Sequence, residues 1–287
     1  MINNKALLQE RINFLNSKGF TYNIHTFQQL NYLYRVTIKQ RFFIELAFNG
    51  SNYHGWQLQK NAVSVQEILN KGLSVIFREP IETTGCGRTD TGVHASEFFA
   101  HFDVKKNTTD DVQSTMDENV LRSINAILPK DIAVKQIFPV VGDAHARFDA
   151  KLRTYHYHIH FNKDPFKTGY SWELRDKPDL ALMNDAAKII IEYTDFSCFS
   201  KSNTQVKSNI CKILEAGWIT KDNEIVFQIS ADRFLRNMVR AIVGTLLMVG
   251  KKEIEPEAIR RVIESKNRSN AGMSVPACGL YLTGVKY

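Results

Sequence analysis

Cysteine is scarce in this 287-residue chain and is not arranged for metal binding or disulfide bonds. The four cysteines, Cys86, Cys198, Cys211 and Cys278, are irregularly spaced and form no C-x-x-C pair. Structural zinc sites usually take their ligands from such close pairs. We therefore expect no metal, and free thiols of the kind found in a reducing compartment such as the cytoplasm.

Long apolar runs are missing as well. No stretch approaches the roughly 20 consecutive apolar residues that a membrane span needs. The first residues, MINNKALLQERINF, lack an apolar core followed by a small-residue cleavage site, so we predict no secretory signal. The composition, 44% hydrophobic and 23% charged, is that of an ordinary globular protein with one large or two modest domains.

Acidic residues are fewer than basic ones, which gives a formal net charge of +7. A basic protein often has a polyanionic partner such as a nucleic acid. Residues 1–39 hold five basic residues and one acidic residue, so more than half of the excess lies there. Net charge alone therefore supports a nucleic-acid partner only weakly, and local clusters must decide.

Strand and helix patterns alternate irregularly from residue 41 onward. Strand patterns occur at 42–48, 81–86, 98–104, 132–138, 152–161, 210–220, 224–231 and 279–287. Helix patterns occur at 65–79, 116–128, 180–191 and 234–250, with a further helix after Pro256. Ser64 with Glu67, and Asp179, are the predicted N-terminal caps.

This order predicts an α+β fold with a large, mainly antiparallel sheet flanked by helices. The two halves share a similar element order, which indicates two related domains at 39–144 and 145–287. Residues 1–38 form an appended segment. This segment could be an RNA-contacting arm, an oligomer contact or a poorly ordered tail, and we favour the tail.

The stretch GRTDTGVHA, residues 87–95, joins two predicted strands and carries one acid, Asp90. It is not a dinucleotide fingerprint, which would need glycine at position 90, and no Lys-Ser or Lys-Thr follows Gly92 as in a Walker loop. Asp90 could simply bind the amides of its own turn. Arg88 and His94 beside it make a catalytic or phosphate-binding loop equally plausible.

The stretch RFLRNMVR, residues 233–240, opens a strongly apolar helix pattern. Arg233, Arg236 and Arg240 would lie within about 60° of one another on a helix that turns 100° per residue. Arg233 and Arg236 could be solvated ends, and we favour that for Arg233. Arg240 lies furthest into the apolar part, so we expect it to need an anionic partner.

The stretch HARFDAKLRTYHYHIH, residues 145–160, combines arginines with aromatic residues. Arg147 and Arg153 suggest phosphate contacts beside a stacking surface, although Tyr155 could equally be a core tyrosine. His156, His158 and His160 would share one strand face, but alternating polar residues usually mark a solvated face and no carboxylate motif accompanies them.

The stretch FNGSNYHGWQLQ, residues 48–59, is aromatic, rich in amides and turn-like. Its side chains could contact nucleotides, and structural packing is the stronger expectation for Trp56.

Together these pieces resemble the TruA-type tRNA pseudouridine synthases, from about residue 41 to the C-terminus. The order of the motifs carries the resemblance: FNGSNYHGWQLQ with SVQEIL, GCGRTDTGVHA, INAILPKDIAV, HARFDAKLRTYHY, DFSCF, RNMVRAIVGTLLMVG and GLYL. The resemblance implies the pseudouridine synthase fold, a homodimer with an RNA cleft, and isomerisation of uridines 38 to 40 in the tRNA anticodon arm. It implies no cofactor and no metal.

By the same resemblance, Asp90 matches the family's nucleophile and Arg240 the arginine paired with it. Tyr155 matches the tyrosine that stacks on the target base and takes part in late proton transfer. Arg88 matches the residue that helps to hold the flipped uridine, and we add Arg147 as a further RNA contact. Glu97-Phe98 departs from the family's frequent Gly-Gln, which puts any role of that glutamine in doubt.

Two other functions remain open. One is an RNA-binding protein of the same fold without activity, against which the presence of Asp90, Tyr155, Arg88 and Arg240 argues. The other is a phosphate-transferring enzyme built on the glycine-rich loop, against which the missing Lys-Ser/Thr and metal ligands argue.

Overall fold

A computed structural model describes residues 38–106, 118–200 and 208–287. The predicted appended segment, except for Ile38, lies outside these residues. The described strands are β1 (Ile38–Phe48), β2 (Thr84–Gly85), β3 (His94–Lys106), β4 (Ile132–Val140), β5 (Leu152–His160), β6 (Trp172–Glu173), β7 (Ile213–Lys221), β8 (Glu224–Ala231) and β9 (Leu280–Lys286). The described α-helices are α1 (Val65–Phe77), α2 (Glu118–Ile127), α3 (Leu180–Ile191), α4 (Met238–Gly250) and α5 (Ala258–Glu264).

The described strands form a single sheet in the order β4-β1-β3-β9-β5-β8-β7, with β2 beside β3 and β6 beside β5. Neighbouring strands are antiparallel except for β3 with β9 and β5 with β6. The prediction of an α+β fold with a mainly antiparallel sheet is therefore confirmed. The boundary between two domains near residue 144 stays a prediction.

Helices α1 and α3 begin where their capping residues predict. The Ser64 hydroxyl accepts a hydrogen bond from the Glu67 amide at 3.2 Å, and the Asp179 carboxylate accepts one from the Leu182 amide at 3.3 Å. Both caps satisfy amides that a helix start leaves unpaired. Helix α4 is buried along almost its whole length, as its apolar sequence predicts. Within the described ranges, no helix is long and apolar enough to cross a membrane.

Helix α4 begins later than predicted, and this changes the expected positions of two arginines. Asn237 has a backbone φ of +66°, which lies outside the helical region, and its side chain donates to the Ser274 hydroxyl. The helix therefore starts at Met238 instead of residue 234. Arg236 lies in the turn before the helix and Arg233 in the irregular segment ahead of that turn, so their predicted helical alignment with Arg240 was wrong.

The strand predicted at 81–86 shortens to Thr84–Gly85 for a local reason. The Thr83 amide donates to the Asn70 side chain at 3.0 Å, and the Ile81 amide donates to the Ser74 hydroxyl at 2.9 Å. Because side chains of α1 take these amides, the segment follows the helix instead of pairing with β3.

Strand β9 connects the two halves of the sheet. It pairs with β3 only at His94–Tyr281 and Ala95–Leu282. Just beyond these pairs, the Glu97 carboxylate accepts a hydrogen bond from the Val285 amide at 2.8 Å. Glu97, the departure from the family pattern, therefore stabilises the junction between β3 and β9.

Candidate active site

The loop at 87–93 lies between β2 and β3, and hydrogen bonds hold it at both ends. At its start, the Cys86 amide donates to the Phe99 carbonyl at 2.7 Å. Near its end, the Val93 amide donates to the Asp90 carbonyl at 3.2 Å, which closes a turn around the acid. Gly92 has φ +77°, a conformation that glycine adopts without strain.

The segment at 49–59 packs directly against this loop. The Trp56 amide donates to the Thr89 hydroxyl at 3.1 Å, and the Gly92 amide donates to the Tyr53 carbonyl at 3.2 Å. A Cβ atom on Gly55 would lie 2.2 Å from the Thr89 carbonyl oxygen, so the two backbones are in close contact. Trp56 is only 1% exposed. The expectation that Trp56 is a packing residue is confirmed.

Asp90 faces two arginines from the segment around the start of α4. Its Oδ1 lies 3.6 Å from Nε of Arg236, and its Oδ2 lies 3.7 Å from a terminal nitrogen of Arg240. Both distances exceed a normal hydrogen bond, so the arginines act on the carboxylate mainly through their charge. The Asp90 side chain is 24% exposed and can still be approached by a ligand.

Arg240 is fixed more firmly than Arg236. Its Nε donates to the Val275 carbonyl at 2.7 Å, and its side chain is 20% exposed. The Arg236 side chain is 61% exposed. The expected anionic partner of Arg240 is therefore present. Arg236 is a second cation at Asp90, and a turn instead of the predicted helix brings it there. The turn at Asn237 that brings it there has no clear sequence pattern.

Tyr155 lies on β5 in the same region. It is 8% exposed, and the ring of Phe234 packs edge-on against it at 5.0 Å between centroids. Burial raises the pKa of the Tyr155 phenol above its ordinary value, and the negative charge of Asp90 adds to this effect. The loop, β5 and the segment at α4 thus meet at one place.

Arg147 and Arg88 are exposed beside this place. The pKa of Arg147 is lowered, first by partial desolvation and then by the positive charges of Arg88, Arg153 and Arg233. Arg88, Arg153 and Arg233 are therefore all close enough to Arg147 for their charges to act on it.

Arg153 is buried and does not offer its guanidinium to a phosphate, contrary to the sequence interpretation. Its nitrogens donate to the carbonyls of Cys86 at 2.7 and 3.1 Å, of Arg147 at 2.7 Å, of Asp232 at 2.8 Å and of Ala150 at 3.1 Å. All three guanidinium nitrogens are engaged, so Arg153 connects chain segments instead of binding a ligand.

The histidines near the loop also have structural partners. His94 accepts a hydrogen bond from the Gly50 amide at 3.1 Å, and its other ring nitrogen lies 3.2 Å from the Cys278 carbonyl oxygen. Because both ring nitrogens are engaged with the backbone, His94 supports the fold and is not free to take part in catalysis or phosphate binding, contrary to the sequence interpretation.

On β5, Tyr155, Tyr157 and Ile159 are buried on one face as predicted, but His160 is buried too and bonds to Ser171 at 3.0 Å. No group of three potential metal ligands occurs in the part of the chain that the structure describes.

Comparison with known proteins gives consistent matches. A family model described as tRNA pseudouridine synthase matches residues 186–287. Proteins called tRNA pseudouridine synthase A are 48% identical in Bacteroides fragilis, over 86% of this chain and 96% of that protein, and 49% identical in Porphyromonas gingivalis, over 86% and 97%. The protein of the same name from Bacteroides thetaiotaomicron is 49% identical over 86% of this chain and 91% of its own length.

Proposed function

The chain belongs to the tRNA pseudouridine synthase A family of isomerases, and from this premise we propose that it converts uridines 38, 39 and 40 of the tRNA anticodon arm to pseudouridine. The pseudouridine synthase fold follows from the same membership. We further propose that Asp90 is the covalent catalyst. The observation that carries this proposal is the Asp90 carboxylate, partly open to solvent, between Arg236 and Arg240 and beside Tyr155.

The reaction explains why one carboxylate suffices. The bond between N1 of uracil and C1′ of ribose breaks, uracil turns, and C5 bonds to C1′. The proton on C5 is lost and N1 gains one, so nothing is oxidised or hydrolysed overall. A covalent catalyst divides this exchange into two easier steps. Whether Asp90 attacks the sugar or the base, its carboxylate is regenerated at the end of the reaction.

The surrounding side chains match the needs of such a catalyst. The positive charges of Arg236 and Arg240 stabilise the negative charge of the Asp90 carboxylate. A base inside a helix cannot be reached, so the target uridine must leave its stack, as in other base-modifying enzymes. The Tyr155 ring would then hold the uracil, and Arg88 and Arg147 would bind the RNA backbone around it.

The pKa of the Tyr155 phenol is raised above its ordinary value, so the phenol is protonated at neutral pH. Tyr155 can therefore accept the proton from C5 only while it passes its own phenolic proton to a water molecule. We accordingly assign it a proton-relay role, and we expect the ring contact and the relay to be separable by mutation.

We also propose that the enzyme works in the cytoplasm as a homodimer with an RNA cleft. In this proposal, the domain at 39–144 supplies the catalytic loop, and the domain at 145–287 completes the cleft. No cofactor is required by the chemistry.

Asp90→Asn tests the proposed catalyst. The substitution keeps the shape and removes the nucleophilic carboxylate, so tritium release from C5-labelled uridine in tRNA should fall at least about a thousandfold. Binding of tRNA should stay near wild type. Asp185→Asn, on the exposed face of α3 where Asp185 pairs with Lys188, is the matched control and should keep full activity. Appreciable turnover by purified Asp90→Asn would contradict the assignment and favour a non-catalytic role of Asp90.

A further inference from the structure

Phe148 is an aromatic residue that does not belong to the buried core, so its contribution to folding does not explain its presence. It is 75% exposed, although a ring of this size normally gains stability from burial. Its ring contacts His145, with 4.2 Å between centroids, and the Arg147 guanidinium lies 5.6 Å from its centre. A large apolar ring is thus held at the surface next to a cation.

Arg147 lies beside this ring, and Arg88 and Arg233 lie close enough to Arg147 for their positive charges to add to the desolvation that lowers its pKa. All three arginines are exposed or half-buried. Among the residues that the structure describes, no carboxylate forms an ion pair with Arg88, Arg147 or Arg233. Arg41, Arg122, Arg236 and Arg240 each pair with one carboxylate, and Arg260 pairs with two. A group of unpaired arginines has a positive potential that attracts an anion, and the guanidinium geometry suits phosphate.

Arg153 explains why the three arginines converge. Its guanidinium bonds at once to the carbonyls of Cys86, Arg147 and Asp232. These carbonyls lie two residues before Arg88, at Arg147 itself, and immediately before Arg233. One buried cation therefore fixes three chain segments that each present an arginine to solvent.

We propose that Arg88, Arg147, Arg233 and Phe148 form a subsite for a nucleotide that adjoins the target uridine. This proposal rests on the function proposed above. The arginines bind the phosphate of the neighbouring nucleotide, and the Phe148 ring stacks on its base. Stacking on an exposed ring tolerates any base, so the subsite holds the strand next to the flipped uridine without reading its sequence.

Two kinds of variant separate the two contacts, with an unmodified tRNA transcript as the probe. Phe148→Ala should raise the Kd for tRNA about 5- to 100-fold, the range expected for one stacked base, and leave the salt dependence of binding unchanged. Arg233→Gln should weaken binding and reduce the slope of log K against log salt by about 0.7 to 1.

Matched controls exclude general effects. Phe148→Tyr keeps a ring and should bind like wild type. Phe166→Ala removes another exposed ring, 89% exposed and beyond the far end of β5, and should change nothing. Arg261→Gln, on α5, should leave the salt slope as it is. Equal losses in Phe148→Ala and Phe166→Ala would overturn the subsite, and so would wild-type affinity of Phe148→Ala.

The outcome also separates the subsite from the proposed function. A wild-type protein that forms no pseudouridine would overturn that function, while weaker tRNA binding by Phe148→Ala would still support the subsite. If the wild type is active and Phe148→Ala binds tRNA as tightly as the wild type does, the subsite is overturned and the proposed function stands. A loss in Arg233→Gln without a loss in Phe148→Ala would likewise overturn the subsite, because it would show phosphate binding without the stacked base.

Discussion

A single buried guanidinium, that of Arg153, holds in place three chain segments that carry exposed or half-buried arginines. Its five hydrogen bonds to backbone carbonyls replace the hydrogen bonds to water that the guanidinium loses on burial. Asp90 differs in its surroundings, because its two cations lie beyond hydrogen-bond distance and leave the carboxylate oxygens free to react. At the scale of single residues, some arginines of the region therefore build the site and others remain available for a ligand.

Tyr155→Phe separates stacking from proton relay. The ring remains, so the KM for tRNA should change less than about threefold, whereas kcat should fall roughly 10- to 100-fold because the relay is lost. Steady-state tritium release at several tRNA concentrations measures both constants. Tyr157→Phe is the control on the same strand face. It loses the hydrogen bond to the Pro276 carbonyl and about 1 kcal/mol of stability, yet it should keep its turnover. An unchanged kcat in Tyr155→Phe would remove the relay role.

At the scale of elements, the catalytic loop depends on a second loop that supports it. The segment at 49–59 contributes no ion to Asp90, but its backbone touches the loop at Thr89, at Gly92 and at Val93, where a Cβ on Gly50 would lie 2.0 Å from the carbonyl oxygen. The packing of these two loops on each other therefore determines the position of Asp90.

Gly55→Ala tests this dependence. Gly55 has φ +85°, and an added Cβ would collide with the Thr89 carbonyl, so the variant should lose at least about 1–3 kcal/mol of unfolding free energy. Its kcat should also fall, since the loop must move to relieve the collision. Gly142→Ala is the control, because nothing lies within 4 Å of the added atom and the backbone needs no glycine. Urea unfolding and tritium release give both values. Equal effects of the two substitutions would argue against the support role.

The elements themselves were largely predictable from sequence, and their exceptions have physical causes. The caps at Ser64 and Asp179 act locally, so the sequence reveals the helix starts. The turn at Asn237 depends on a bond to Ser274, far along the chain, and the short β2 depends on side chains of α1. The motifs around Asp90, Tyr155 and Arg240 were visible, but Arg236 and Phe148 act through geometry that spacing does not encode.

At the scale of the whole molecule, the order of strands could not be read from the sequence. Strand β9, the last in the chain, lies between β3 and β5, and such long-range pairing leaves no periodic pattern. The α+β class followed from the irregular alternation of elements alone. The sheet also contains buried histidines, and their protonation makes the stability of the protein depend on pH.

Acid should destabilise the protein through His94 and His101. Burial lowers the pKa of both, that of His101 from 6.5 to about 4, and the His101 ring accepts a hydrogen bond from the Ala146 amide at 3.1 Å. The unfolded chain binds these protons more readily, so stability is full above pH 6.5 and falls as the pH drops toward 4. Urea unfolding should show a loss of about 1–2 kcal/mol from His101 between pH 7.5 and pH 5.

His101→Asn provides the control for this pH dependence. The Asn side-chain oxygen can accept from the same amide and does not titrate, so the loss of stability between pH 7.5 and pH 5 should shrink. An equal loss in wild type and variant would show that other groups cause it. Arg41, Asp103, His145 and Asp149 are the charged or titratable neighbours that act on His101.

The most direct test of the central claim is a map of pseudouridines in tRNA from cells that lack this protein. The map is repeated after wild-type protein or Asp90→Asn is restored. The account predicts that pseudouridine disappears from positions 38, 39 and 40, returns with the wild type and stays absent with Asp90→Asn, while pseudouridines elsewhere are unchanged. Pseudouridine that persists at these positions without the protein, or returns with Asp90→Asn, would contradict it.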